Sequence, residues 1–310
     1  MEILIRAIVL LSAALNVFLL YKIAVGNRGI NYITSVLIEI RKLGFGRRIH
    51  VGFGNRELGK MAAELNTLMD KFQSTMEEKQ RLELSHRQLI ANISHDIRTP
   101  LTSLLGFVEV LQKGEGVSGT EQKEYLDIIY IKGQSLYRII QEFFELSKLE
   151  SEDTEIKLEK INLSDIITEV IAAFYQELIM NKITPEIQLP EERIYVWGNG
   201  AGIERILQNL LSNALKYGRE GGVIGVLLRV DREKVWVDIW DRGRGIEEKD
   251  MPFLFNRLYT TEASRNDRMR GNGLGLAIAR QLAEKQKGEI SVSSTPGIKT
   301  TFSFSLLKYS

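Results

Sequence analysis

The run Asn92-Ile93-Ser94-His95-Asp96-Ile97-Arg98-Thr99-Pro100-Leu101 sets an imidazole, a carboxylate and a hydroxyl within about one helical turn. Around it Leu82, Leu89, Ile93, Ile97, Leu104, Val108 and Leu111 recur at helical spacing, so the segment reads as an amphipathic helix. His95 stands two residues from both Ile93 and Ile97, which turns its ring away from the apolar stripe. A neutral imidazole is a nucleophile that titrates near neutrality. Asp96 beside it can fix the tautomer and take the proton while the other nitrogen attacks. Thr99 falls on the same face one turn on, and Pro100 removes a backbone donor just beyond. A histidine so placed needs an electrophile from elsewhere in the chain.

Four later clusters have phosphate and nucleotide chemistry. Asn209 and Asn213 are one turn apart, with Lys216 and Tyr217 following on the same helix pattern. Two neutral oxygens together with phosphate oxygens suit hydrated Mg²⁺, and Lys216 suits a phosphate. Asp241-Arg242-Gly243-Arg244-Gly245-Ile246 closes a strand pattern. Its glycines let backbone approach a flat ring, and its carboxylate can accept from an exocyclic amine such as adenine's. Phe253-Leu254-Phe255-Asn256-Arg257 reads as apolar packing, with Arg257 free to face phosphates. Gly271-Asn272-Gly273-Leu274-Gly275-Leu276 opens a helix, where bare N–H groups and the positive dipole end favour a phosphate. The polar stretch 260–270, with Arg265, Arg268 and Arg270, reads as a lid over the nucleotide.

The elements that position these groups follow from the rest of the chain. Lys and Arg total 41 against 40 Asp and Glu over 310 residues, so no bulk charge argues for nucleic acid. There is no Cys, which excludes disulfides and thiolate sites, and only three His, which argues against a histidine zinc site. Residues 3–25 are apolar over about the length of a bilayer crossing, with a cleaved signal peptide as the alternative. Lys22, Arg28, Arg41, Lys42, Arg47 and Arg48 follow it, which places the remainder in the cytoplasm as a single-pass protein. Residues 1–26 are therefore expected to be a transmembrane anchor. On this reading no extracellular sensor domain is expected ahead of it.

Residues 27–75 read as two amphipathic helices around Gly44-Phe45-Gly46 and Val51-Gly52-Phe53-Gly54. Residues 76–150 read as a helical hairpin that turns at Gly114, Gly116 and Gly119, with its second helix at 120–149. The broad apolar faces of that hairpin call for a homodimeric four-helix bundle. Glu150-Ser151-Glu152-Asp153 reads as a hinge. Residues 155–310 alternate strand and helix signals, with helices at 163–180, 199–217 and 274–287. Strands are expected near 186–189, 194–197, 223–230, 235–240, 289–293 and 300–305. The fold class is thus α plus α/β: an N-terminal transmembrane helix, a helical hairpin, and an α/β sandwich with helices on one face of a mixed sheet.

Taken in order, these clusters resemble the sensor histidine kinases of two-component systems, over about residues 82–306. Residues 94–101 look like the H box, 209–217 the N box, 241–246 the G1 box, 253–257 the F box and 271–276 the G2 box. The run 56–66 is similar to the second helix of HAMP linkers, with a plain coiled-coil linker as the alternative. The resemblance implies that His95 accepts phosphoryl from ATP, that Asp96 acts as base, and that Thr99 positions water when a partner is dephosphorylated. Asn209 and Asn213 would hold Mg²⁺, Lys216 and Tyr217 would flank the phosphates, and Asp241, Gly243, Gly245 and Ile246 would take the base. Gly271, Gly273, Leu274, Gly275 and Leu276 would form the lid hinge and phosphate cradle. The implied partner is a response-regulator protein, and the stimulus would enter through the membrane or a membrane partner such as a transporter.

Departures are Asn256 where Glu is common, Gly218-Arg219 for small hydroxyl residues, and Asn199 where Asp is frequent. Two alternatives stand at this point: an adaptor or phosphatase-only protein of the same fold, and an ATPase of the chaperone and topoisomerase type. The latter would carry a Glu base where Asn209 stands, and an amide cannot accept that proton.

Overall fold

The computed structural model describes residues 1–43, 48–50, 56–113, 118–151, 156–260 and 273–309. The connector glycines at 44–46 and 52–54, the hairpin's Gly114 and Gly116, Glu152-Asp153, Gly271 and the stretch 261–270 lie outside them. The chain divides into two compact units, residues 1–88 and 89–310.

In the first unit one helix, α1 (Glu2–Leu43), runs from the apolar stretch directly into the linker's first amphipathic segment. The sequence reading separated the two. Gly26 and Gly29 lie between them, but a helical glycine weakens a helix by only about 1 kcal/mol and does not end it. Residues Glu2–Ile40 are long and apolar enough to cross a bilayer, and none of their most apolar window is buried. Farther on, Ile33, Val36 and Ile40 pack with Ile49 and with Ala62 and Met69 of α2 (Arg56–Lys113). Asn66 fastens the connector there. Its amide oxygen accepts from the Ile49 N–H at 3.0 Å and its amide nitrogen donates to the Ile49 carbonyl at 3.0 Å.

α2 continues for 58 residues and carries Pro100 inside it. In the second unit it is joined by α3 (Gly119–Glu150). Ser118 starts α3 with a capping box: its Oγ accepts from the Glu121 N–H, and Glu121 accepts from the Ser118 N–H at 2.8 Å. Leu105, Leu126, Tyr130, Ile131 and Tyr137 remain exposed on this hairpin. Five large apolar side chains in water on two helices are what a second copy of the hairpin would cover.

The remainder is a layered α/β unit. Among the described residues seven strands form one sheet in the order β1-β3-β7-β5-β4-β2, with β6 also on β7. The strands are β1 (Glu159–Asn162), β2 (Thr184–Gln188), β3 (Tyr195–Gly198), β4 (Val223–Val230), β5 (Lys234–Asp241), β6 (Ile290–Thr295) and β7 (Lys299–Lys308). Only β2 and β4 pair in parallel, so the sheet is mixed, as expected. α4 (Leu163–Met180), α5 (Gly200–Gly218) and α6 (Gly275–Lys285) supply the helix layer. Val235, Val237 and Ile239 of β5 and Phe302, Phe304 and Leu306 of β7 alternate into a core shared with Leu163, Ile167, Ile203, Leu207 and Ile278.

The outward side chains of the sheet are not a bland polar face. Trp240 lies over Gly225, where an added Cβ would come within 2.0 Å of its indole. Lys299 Nζ stands 4.2 Å and Arg242 Cζ 5.5 Å from the Trp240 ring centroid. Gly225→Val should therefore lower stability by about 1–3 kcal/mol, although valine is the better strand former. Thermal melting checks this: an unchanged midpoint would mean that the indole can move aside freely.

Candidate nucleotide and phosphotransfer site

His95 projects from α2 with 61 % of its side chain exposed, while Asp96 beside it is 20 % exposed. Ile93 next to them is buried, so the stripe is satisfied and the imidazole is left in water. His95 Nδ1 lies 3.3 Å from Asp96 Oδ1. A carboxylate at that nitrogen favours the Nδ1–H tautomer, which leaves the Nε2 lone pair as the nucleophile. Thr99 Oγ1 donates to the His95 carbonyl at 3.2 Å, one turn on.

The second group of residues surrounds a cavity of about 520 Å³. α5 forms one wall because its sequence separates two faces. Ile203, Ile206, Leu207, Leu210, Leu211 and Ala214 enter the core, and Asn209, Asn213 and Lys216 are left along the cavity. Asn199 caps this helix, its side chain accepting from the Gly202 N–H at 2.9 Å. The amide nitrogen of Asn209 is buried and has no hydrogen-bond partner among the described residues. A buried donor left unpaired is costly, and a phosphate oxygen in the cavity would satisfy it. Tyr217 closes this wall between two cations, with Lys216 Nζ 4.8 Å and Arg244 Cζ 5.2 Å from its ring centroid.

The opposite end is set by Asp241, at the tip of β5 and only 4 % exposed. Burial pushes its carboxyl above the ordinary aspartate range, and the Gly243 N–H, donating at 2.9 Å, only partly offsets this. Close backbone packing holds it there: a Cβ on Gly243 would meet the Tyr217 carbonyl at 2.2 Å, and one on Gly218 would meet Asp241 at 2.3 Å. Gly245 turns the loop with φ +79°, and the Ile246 N–H that follows donates to Ser294 Oγ at 2.9 Å. Thr300 and Phe302 of β7 complete that end. Gly273, Gly275 and Leu276 bring the start of α6 to the cavity. Gly275 lies against Asn209, whose Oδ1 an added Cβ would approach to 3.3 Å.

Asn209, Asn213, Lys216, Tyr217, Asp241, Gly245, Ile246, Gly273, Gly275 and Leu276 thus line one cavity. Gly243 supports the carboxylate from behind, and Leu274 is buried in the core. Gly271 lies outside the described residues. Arg257 is not on the cavity wall; its Nε sits 2.6 Å from Glu150 Oε1 at the end of α3. The guanidinium that the sequence pointed toward phosphates has a carboxylate from the hairpin instead.

The same hairpin helix supplies a wall that sequence reasoning missed. Ser135, Arg138, Ile139 and Glu142 of α3 line the cavity. Arg205 of α5 grips Glu145 of α3, Nη2 to Oε2 at 2.8 Å and Nε to Oε2 at 2.9 Å. Leu146 and Leu149 of α3 share the core with α4, α5 and α6.

The sequence model of the His Kinase A (phospho-acceptor) domain matches residues 85–152. That of the histidine kinase-, DNA gyrase B- and HSP90-like ATPases matches residues 198–310. The sensor histidine kinase YcbM of Bacillus subtilis is 35% identical over 302 residues, covering 97% of this chain and 96% of that protein. The chain belongs to the sensor histidine kinases. A phospho-acceptor domain ahead of the ATPase-like domain sets it apart from the chaperone and topoisomerase relatives.

The kinase is also similar to WalK of the same organism, 29% identical over 88% of this chain, but it spans only 44% of that protein's length. Two solved structures share the fold. Acinetobacter baumannii AdeS has a TM-score of 0.55 at 24% identity, over 70% of this chain and 98% of that one. ThkA, solved with the response regulator TrrA, has a TM-score of 0.60 at 23% identity, over 77% and 66%. As a sensor histidine kinase the protein binds ATP, phosphorylates its own histidine and passes the phosphoryl group to a response regulator. Its kind works as a dimer, and its apolar N-terminal helix suggests a membrane anchor.

Proposed function

We propose that His95 is the phosphoacceptor and that the cavity between Asn209 and Asp241 holds the ATP. The observation that carries this is one cavity walled by amides, a lysine, a buried carboxylate and a helix N-terminus, in a chain that also holds an exposed histidine on a carboxylate. Asp241 accepts from the adenine amine. Asn209 donates its unpaired amide N–H to a phosphate oxygen, and Lys216 adds positive charge. Arg257 joins the phosphates only after releasing Glu150.

For transfer, the ATP-holding part moves until the γ-phosphorus lies in line with His95 Nε2. The N–P bond forms, the bond to the β,γ-bridging oxygen breaks and ADP leaves, while the Nδ1 proton passes toward Asp96. A regulator aspartate then takes the phosphoryl group from Nε2. Thr99, one turn from His95, orients water for the reverse duty of dephosphorylating that regulator. Residues 27–75 act as a HAMP-like or coiled-coil linker, 76–150 as the dimerising hairpin, and 155–310 as the ATP-binding domain. α1 crosses the membrane once, and the basic residues after it keep the kinase part cytoplasmic. The stimulus enters there, from the bilayer or from a neighbouring membrane protein.

Asn209 and Asn213, one turn apart on the cavity wall, would hold Mg²⁺ through their side-chain oxygens, and the ion would neutralise phosphate charge during transfer. Calorimetry of ATP binding with and without Mg²⁺ tests that assignment. The wild type is expected to gain affinity with Mg²⁺. Asn213→Ala and Asn209→Ala should each lose that gain by about tenfold or more. Variants that keep the full Mg²⁺ effect would overturn the amides as ligands.

A further inference from the structure

Resting on the reading that ATP occupies this cavity, we infer that Arg138 of α3 is a ligand for the nucleotide's polyphosphate, so that hairpin and lobe hold ATP jointly. Glu145 of α3 is tied to Arg205 near the start of α5. Seven residues onward along α5 is Ser212, and seven back along α3 is Arg138; at 1.5 Å per residue both lie about 10.5 Å from that pair. Both line the cavity. Arg138 thus shares the cavity wall with Asn209, Asn213 and Lys216, which supply its amide and ammonium groups.

The chemistry of Arg138 agrees with that position. It is exposed within its wall and has no ion pair or hydrogen bond among the described residues. A guanidinium on a polar cavity, with no carboxylate among the described residues holding it, presents its planar donor fork to whatever anion enters. The nearest acid on its helix, Glu142, lies one turn on and also lines the cavity. Adenosine carries no anionic group for such a fork to pair with. ADP and ATP have phosphate oxygens, which pair with guanidinium in a bidentate manner.

The experiment is calorimetry on the full-length kinase with ATP, ADP and adenosine as separate probes. Arg138→Ala should weaken ATP and ADP by about tenfold, the lower range for a hydrogen bond to a charged group, and leave adenosine within about twofold. Arg138→Lys should recover part of the ATP affinity, because it restores the charge without the fork. ATP affinity unchanged in Arg138→Ala overturns the inference, and so does an equal loss of adenosine, which would make the residue structural. Asp241→Asn run alongside separates the two readings. If it leaves all three ligands bound as in the wild type, the nucleotide does not occupy this cavity, whatever Arg138 does.

Discussion

Replacing His95 by Gln is expected to abolish transfer of label from γ-labelled ATP to the protein, with ATP affinity unchanged. Glutamine can keep a hydrogen bond to Asp96, yet its amide nitrogen has no lone pair available for attack. The fold should not notice. The ring is 61 % exposed, and surface exchanges of this kind stay within about 0.5 kcal/mol. Loss of labelling therefore reports chemistry and not collapse. The measurement is acid-labile, base-stable label on full-length protein, with calorimetry on the same preparation. Label appearing on the variant at the wild-type rate would remove His95 from the mechanism.

The second large effect is expected at Asp241. Asp241→Asn keeps shape and burial but changes an anionic acceptor into a neutral amide. ATP affinity should fall about ten- to a hundredfold, the range for a hydrogen bond to a charged group. Stability should move the other way. The folded state raises this carboxyl's pKa because burial disfavours its charge. Between the unfolded value and that raised value the folded protein binds more protons than the unfolded chain, so stability falls as pH rises through the window. This contribution is fully present below the unfolded pKa and is lost above the folded one. The Asn variant lacks that slope, so its melting midpoint should exceed the wild type's at neutral pH while its ATP affinity is lower. The wild type's affinity for adenosine should also fail, on acidification, at a higher pH than an ordinary aspartate would give. A variant both less stable and weaker binding would mean that the carboxylate is charged at no cost.

The parts of the fold legible beforehand were those in which one residue pattern has one solution. Helix 163–180 and strand 223–230 coincide with α4 and β4, because each is a clean apolar run between turn signals. β1 was not expected. Its four residues, Glu-Lys-Ile-Asn, carry a single apolar side chain and become a strand only by pairing with β3. β2 begins earlier than expected, at Thr184, and includes Pro185. A proline is tolerated there because β2 is an edge strand.

At the site, Asn209, Asn213 and Lys216 could be picked out because apolar spacing along α5 leaves them off its buried face. Nothing in α3 marks Arg138 or Glu142 in the same way. Which side of α3 meets the lobe depends on how two separately folded layers dock, and residue spacing within one helix does not encode that. Arg257 shows the same limit from the other direction. Its sequence neighbourhood points to phosphates, while its partner in the structure, Glu150, lies more than a hundred residues earlier.

One helix, α3, belongs both to the hairpin proposed to pair two copies and to the wall of the cavity proposed for ATP. Binding free energies shared in this way are reciprocal. If filling the enclosure tightens self-association by some factor, then self-association must sharpen the grip on ATP by the same factor. A message that alters only the helical stalk would then change nucleotide occupancy with no rearrangement inside the lobe, and the kinase's apparent affinity would depend on its own concentration.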